Sequence, residues 1–190
     1  MKAASNKNLR WQAVVAGVGG QGVLFVTRML ALGAQAVGGR ILISEVHGMA
    51  QRGGSVISHL KVGDFAGPLV AMGQADLLLS LDPGEGLRNL GFLRPGGAAV
   101  VNAPDAGFLS AQAQEALAAH GARLICIDAA GLARSAGAAK GANLALLAGA
   151  AAVGVLPMSA DELRRVVLEA SPPARRQANE LLWGSGSSAV

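Results

Sequence analysis

Gln12-Ala13-Val14-Val15-Ala16-Gly17-Val18-Gly19-Gly20-Gln21-Gly22-Val23 is the stretch on which the fold turns. Gln12 to Gly17 is a short apolar run that closes in glycines, the pattern of a strand entering a tight turn. From about Gly20 to Val37 the spacing of Val23, Leu24, Thr27, Leu30 and Ala34 is that of one helix face. A strand, a glycine turn and a helix in succession form the first half of a βαβ unit. The segment Arg40 to Ser44 follows, and its Ile41-Leu42-Ile43 run is continuous rather than alternating. It reads as a second strand, buried on both faces.

Working outward, Val56 to Val62 alternates, with Val56, Ser58, Leu60 and Val62 on one side and Ile57, His59 and Lys61 on the other. This predicts a half-exposed strand at an edge, with His59 on its surface. Ala75 to Leu81 is another continuous strand, closed by Asp82-Pro83-Gly84. A short helix over Gly86 to Phe92 and an Arg94-Pro95-Gly96-Gly97 turn lead into strand Ala98 to Asn102. Ser110 to His120 reads as a helix stopped by Gly121, and Arg123 to Asp128 as a further strand. From Gly131 onward only helices are expected. Ser159-Ala160-Asp161-Glu162 is a capping-box start for a helix ending near Ala170, and the Pro172-Pro173 break precedes a last helix, Ala174 to Trp183. The expected class is α/β: a Rossmann-like, doubly wound, mostly parallel sheet with a C-terminal helical appendage. Residues 12–183 are expected to form a single domain, helical from about 131, between a flexible N-terminus (1–11) and a disordered tail (184–190).

Composition narrows the function classes. Aromatics are only 3% of 190 residues while 52% are hydrophobic, so the core must be built from Ala, Val, Leu and Ile. The net charge of +4 comes from scattered basic residues, and there are almost no aromatics on which bases could stack, which argues against nucleic acid. One cysteine, Cys126, lies inside the apolar run Leu124 to Ile127. It excludes an internal disulfide and an all-cysteine cluster, and fits a reducing cytoplasm. The N-terminus lacks a signal-peptide core. Gly141 to Leu156 is uncharged but too short and too rich in Ala and Gly for a membrane span, so it reads as a buried or interface helix, with Ala145, Gly149 and Ala152 suited to close helix contact.

Two glycine clusters carry the candidate site. Gly17, Gly19, Gly20, Gln21 and Gly22 sit between a strand and a helix, where glycines let an anion approach the backbone amides at the helix start. Glu45 falls about 20 residues further on, where a dinucleotide fold keeps its ribose-binding acid. An NAD(P) site is therefore one reading, and mere tight packing of strand, turn and helix is another. The second cluster, His47-Gly48-Met49-Ala50-Gln51-Arg52-Gly53-Gly54, interrupts the apolar pattern with an imidazole, an amide, a guanidinium and glycines. It is too compact and polar for an adenosine pocket. Arg52 before Gly53 and Gly54 can present a guanidinium and free amides to a phosphate or carboxylate, brace the sheet by pairing with Glu45 or Asp82, or reach a partner subunit together with His47. The two clusters are expected to approach each other in a parallel sheet. No nucleophile with a neighbouring base, and no metal-ligand cluster, is visible.

The combination Gly17-Val18-Gly19-Gly20-Gln21-Gly22-Val23 with Glu45-Val46-His47-Gly48-Met49-Ala50-Gln51-Arg52-Gly53-Gly54-Ser55-Val56 resembles the gamma-type domain of 2-oxoacid:ferredoxin oxidoreductases. The loop wording is most similar to the indolepyruvate (aryl pyruvate) branch of that family. Ala75-Asp76 before an apolar strand, Pro95-Gly96-Gly97 before Val100-Val101-Asn102, and the C-terminal helices agree as well, so the resemblance spans roughly Gln12 to Trp183. It implies oxidative decarboxylation of a 2-oxoacid to an acyl-CoA, with electrons passed to ferredoxin. The chain carries neither a thiamine signature nor cluster cysteines. The resemblance thus assigns thiamine diphosphate, Mg2+ and iron–sulfur clusters to a large partner subunit, in a heterodimer or heterotetramer, and no cofactor to this chain alone. Coenzyme A enters as co-substrate, and the glycine loops would shape its approach or that of the substrate. A free-standing NAD(P)- or nucleotide-binding protein is the alternative expectation, and a structural partner of another redox complex is a third.

Overall fold

The computed structural model describes residues 9–48 and 53–189. Six strands, β1 (Trp11–Val18), β2 (Ile41–His47), β3 (Ser55–Val62), β4 (Ala75–Ser80), β5 (Leu93–Asn102) and β6 (Arg123–Ile127), form one sheet in the order β2-β3-β1-β4-β5-β6. The pairs β1–β4, β4–β5 and β5–β6 are parallel, whereas β3 is antiparallel to both β1 and β2. Five strands therefore share one direction and β3 alone is reversed. The fold is α/β and mostly parallel, as the alternation of elements predicts.

The strand order corrects two expectations. β3 is not an edge strand: it lies between β1 and β2. The edge is β2, whose apolar run was expected to be buried on both faces. Ile43 is 41% exposed and Val46 48%, and successive strand residues point to opposite faces, so β2 shows apolar surface on both. His59 is corrected too. It is buried at 5% exposure, because the chain after β3 folds back over it. The Val70 amide donates to its Nδ1 at 3.3 Å, and the Phe92 ring stands edge-on at 5.4 Å.

Helices cover the sheet on two faces. α1 (Val23–Ala36), α4 (Ala129–Ser135), α5 (Ala142–Ala152), α6 (Ala160–Ala170) and α7 (Arg176–Ser187) pack over the larger core, which includes Val15, Leu30, Leu60, Leu77 and Leu79. α2 (Pro83–Asn89) and α3 (Ala111–Ala119) lie along the chain that closes the opposite, smaller core around Val14, Leu78, Ala99 and Val101. Ala13 to Ala16 contribute alternately to the two, which explains why β1 is apolar at consecutive positions.

The uncharged segment after Gly141 becomes α5, buried from Leu144 through Ala151; among the described residues no helix is long and apolar enough to cross a membrane. Glycine lets α7 lie directly on it. A Cβ on Gly186 would stand 2.2 Å from the Ala145 carbonyl oxygen. Anchored this way, α7 continues to Ser187 instead of stopping at Trp183, so residues 184–187 are helical where a disordered tail was expected. The capping box at α6 forms as read: Ser159 Oγ accepts from Glu162 N at 3.2 Å and Glu162 Oε2 accepts from Ser159 N at 2.8 Å.

The α5–α7 contact gives a paired prediction. Gly186→Ala forces the two helices apart and should lower stability by about 2 kcal/mol. Gly184→Ala meets nothing within 4 Å and should be neutral or stabilising by up to about 1 kcal/mol. Urea denaturation of the two variants checks the sign as well as the size.

His59 gives a second. Burial, and then the Lys61 ammonium, hold its imidazole below the usual range. The unfolded chain therefore takes up the proton first, at about pH 6.5. His59 contributes fully above that pH, and its contribution is lost as the pH falls on through the lowered native value. Denaturation midpoints of the full chain between pH 7.5 and 5 should fall more steeply than those of His59→Gln. Parallel slopes would refute this.

Candidate functional site

The carboxyl end of β1 and the amino end of β3 run side by side, with Gly17 opposite Val56 and Val18 opposite Ser55. The turn after β1 therefore meets the loop before β3. The Gly19 amide donates to the Gly54 carbonyl at 2.8 Å, and a Cβ on Gly19 would stand 3.6 Å from that oxygen. The two glycine clusters do come together, but through the reversed strand and not through a parallel neighbour.

Gln21 closes the first turn on itself. Its amide donates to Val18 O at 3.0 Å, and its side-chain Oε1 accepts the Val18 amide at 2.8 Å. Gly17 has no room for a side chain, since a Cβ would come within 2.9 Å of both Gln21 Oε1 and Val23 Cγ2. Gly20 and Gly22 take φ of +97° and +92°, which favours glycine. Gly22 caps α1 without a side-chain hydrogen bond, and no acid stands in the first turn of that helix. Among the described residues no side chain accepts from its leading amides, which suits an anion. Asn143, at the start of α5, covers Gly22 from the other side: its Nδ2 would be 2.2 Å from a Cβ there.

Glu45 lies elsewhere. It is exposed on β2 opposite Ser58, and lines a groove of about 640 Å³ between α1 and β2 together with Arg28 and Ile43. A dinucleotide fold keeps its ribose acid on the strand beside β1. Here β3 occupies that place, so Glu45 sits one strand further from the glycine turn. Of the second cluster, the His47 backbone pairs with Val56, Gly48 donates to Ser55 O at 2.8 Å, and Gly53 is exposed with φ +70°. Gln51 and Arg52, with Met49 and Ala50, lie outside the described residues.

Residues that the sequence did not single out complete the site. Ser55 Oγ donates to Glu85 Oε2 at 2.7 Å, and the other carboxylate oxygen of Glu85 takes Arg88. Glu85 stands on α2, whose N-cap Asp82 accepts from the Glu85 amide at 3.0 Å. The side chain of Glu85 is 3% exposed while that of Arg88 is 73% exposed. The expected helix began only at Gly86, leaving Glu85 outside it, whereas α2 starts at Pro83 with Asp82 as its cap. The burial of Glu85 was not visible, because that depends on a strand thirty positions upstream.

A six-stranded sheet of this build is the fold of the gamma subunits of oxoacid:ferredoxin oxidoreductases. The gamma subunit of the keto/oxoacid ferredoxin oxidoreductase of Geobacter sulfurreducens superposes with a TM-score of 0.74 over 94% of this chain and 97% of that one, at 22% identity. A 2-oxoglutarate:ferredoxin oxidoreductase of Magnetococcus marinus, solved with 2-oxoglutarate, coenzyme A and succinyl-CoA bound, matches with a TM-score of 0.75 and 16% identity over 95% of this chain and 31% of that one. The family model for pyruvate ferredoxin/flavodoxin oxidoreductase matches residues 12–180. The indolepyruvate oxidoreductase subunit IorB of Thermococcus kodakarensis is 32% identical over 184 residues, covering 89% of this chain and 90% of that one. The chain belongs to the pyruvate ferredoxin/flavodoxin oxidoreductase family.

The residues present do not fit an iron–sulfur cluster, which needs four cysteine thiolates or their equivalent. The one cysteine, Cys126 on β6, is half-buried, and burial together with the Asp105 charge pushes its thiol up. Among the described residues no group of three or more His, Cys, Asp or Glu gathers where it could hold a metal ion.

The Gly22–Asn143 contact is testable as a cycle. Gly20→Ala meets open space and suffers only the backbone strain, about 1 kcal/mol. Gly22→Ala suffers the strain and the collision, about 3 kcal/mol in all. In an Asn143→Ala background the gap between the two should close to less than about 1 kcal/mol, a coupling that urea titration of the cycle reads directly.

Proposed function

We propose that this chain is the small, cluster-free subunit of a thiamine diphosphate-dependent 2-oxoacid:ferredoxin oxidoreductase of the indolepyruvate type. The assembly would decarboxylate an aryl pyruvate oxidatively to its acyl-CoA and pass the electrons to ferredoxin. The observation that carries the substrate branch is the 32% identity to an indolepyruvate oxidoreductase subunit over nearly the full length of both chains. Thiamine diphosphate, Mg2+ and the clusters belong, on this reading, to a large partner subunit in a heterodimer or heterotetramer in the cytoplasm. When bound there, the thiamine supplies the carbanion chemistry and the clusters carry electrons away.

The task left to this chain is to bind and orient. Gly17, Gly19, Gly20, Gln21 and Gly22 form one wall of the proposed coenzyme A-facing surface and Gly53 and Gly54 the other, with His47, Gln51 and Arg52 assigned to it from sequence alone and Glu45 one strand away on β2. The open amides at the start of α1 suit a phosphate of the coenzyme, and the coenzyme A recorded with the fold neighbour from Magnetococcus marinus supports this choice of ligand. Bare glycine backbone on both loops lets a ligand approach closely while the guanidinium of Arg52 supplies charge. Nothing in this chain is assigned a bond-breaking role.

Co-expression of the chain with its large subunit, purified anaerobically, is the direct test. Dye or ferredoxin reduction should require both subunits, coenzyme A and a 2-oxoacid, and kcat/KM for indolepyruvate should exceed that for pyruvate or 2-oxoglutarate by about a hundredfold or more. A complex preferring pyruvate would overturn the substrate branch. A solitary chain that binds NAD(P) tightly would overturn the subunit reading altogether.

A further inference from the structure

Glu85 is a buried carboxylate that no role described so far employs. A carboxylate at 3% exposure carries a desolvation penalty that only strong, well-formed hydrogen bonds offset. Its ion-pair partner gives no reason for that burial, because Arg88 is three residues on along the same helix and stands largely in water. An acid and an arginine at that spacing pair equally well on an open helix face. What burial adds is the reach of Oε2 to the Ser55 hydroxyl, at 2.7 Å, on the residue where the second glycine loop enters β3.

The helix is seated to aim this carboxylate. Asp82 caps it by accepting from the Glu85 amide at 3.0 Å, while the Ser80 hydroxyl donates to the Asp82 carbonyl at 2.6 Å. Asn89 Nδ2 donates to the Glu85 carbonyl at 2.8 Å. Gly86 lets the helix press against the sheet, since a Cβ there would already stand 3.3 Å from Ser80 and Val101 side-chain atoms. Ser55 in turn accepts the Gly48 amide on its carbonyl at 2.8 Å, so the residue Glu85 holds is the one that closes the base of the loop. Gly54, its neighbour, accepts from Gly19. The chain of contacts runs from α2 through Glu85 and Ser55 to both glycine loops.

We propose that Glu85 is the positioning residue of the coenzyme A-facing surface: through Ser55 it fixes Gly48 and Gly54 against the Gly17–Gly22 turn. The inference rests on the reading of the two loops as that surface. Glu85 touches no ligand. It acts as a hydrogen-bond acceptor, and its pairing with Arg88 is incidental to the loop.

The test is steady-state kinetics of the assembled two-subunit enzyme. Glu85→Ala and Ser55→Ala should each raise KM for coenzyme A by about tenfold, with kcat and KM for the 2-oxoacid within about twofold. The double variant should be no worse than either single one, because both remove the same contact. Glu85→Gln keeps an oxygen facing Ser55 and should restore KM for coenzyme A to within about twofold of the parent. Arg88→Ala should leave it unchanged. A purely structural role would lower the melting temperature without this split between KM and kcat. Gly53→Val, in the exposed loop itself, separates the inference from the reading beneath it. If Gly53→Val raises KM for coenzyme A and Glu85→Ala does not, the role of Glu85 is overturned and the site stands. If neither does, both fall. Should Glu85→Ala fail to assemble, Ser55→Ala and Glu85→Gln decide alone: an unchanged KM for coenzyme A in Ser55→Ala, or a tenfold rise in Glu85→Gln, overturns the proposal.

Discussion

The hydrogen bond from the Gly19 amide to the Gly54 carbonyl exists only because β3 runs against its neighbours. A parallel strand beside β1 would place its carboxyl end at that edge and carry its amino end to the far side of the sheet. The single reversed strand instead delivers an entry loop to the edge where a helix-opening turn already lies. Two features of that edge follow: two stretches of bare backbone in contact, and a carboxylate on α2 close enough to hold the incoming strand. The parallel strands β4, β5 and β6 complete the sheet around this arrangement.

The helical half of the chain serves that edge as well. α5 is apolar all round and buried along most of its length, so it acts as a rod through the larger core. Its first turn brings Asn143 against Gly22, and its body takes α7 at backbone distance through Gly186. The glycine turn is therefore clamped from two directions, by the β3 loop and by α5. The α5 clamp depends on glycine, because a side chain at Gly22 would collide with Asn143.

Much of the fold was legible from local pattern. Ala13 to Ala16 and Leu77 to Leu79 announce interior strands by continuity, Val23 to Ala34 announces a helix by spacing, and Ser159 with Glu162 marks its helix start unambiguously. What local pattern does not state is who pairs with whom. The neglected signal was linker length. β2 ends at His47 and β3 starts at Ser55, and a parallel crossover needs a dozen residues or more, so a link of residues 48–54 permits only an antiparallel pair. Linker length pairs β3 with β2 in antiparallel sense, but the placement of β3 rather than β2 beside β1 is set by the sheet order, which no local count gives. The burial of His59 and Glu85 was out of reach of any such count, because each is enclosed by chain distant in sequence. The site residues were half legible: glycines advertise themselves, whereas an ordinary Ser and Glu become notable only when folding buries one against the other.

The exposure of β2 has a consequence for how a cell must handle this polypeptide. Ile43 and Val46 leave apolar surface on opposite faces of the terminal strand, and among the described residues nothing pairs with its outer edge. Such an edge is a template for sheet extension by any chain that arrives, another molecule of the same kind included. Molecules in which this edge stays open are therefore the ones most exposed to aggregation.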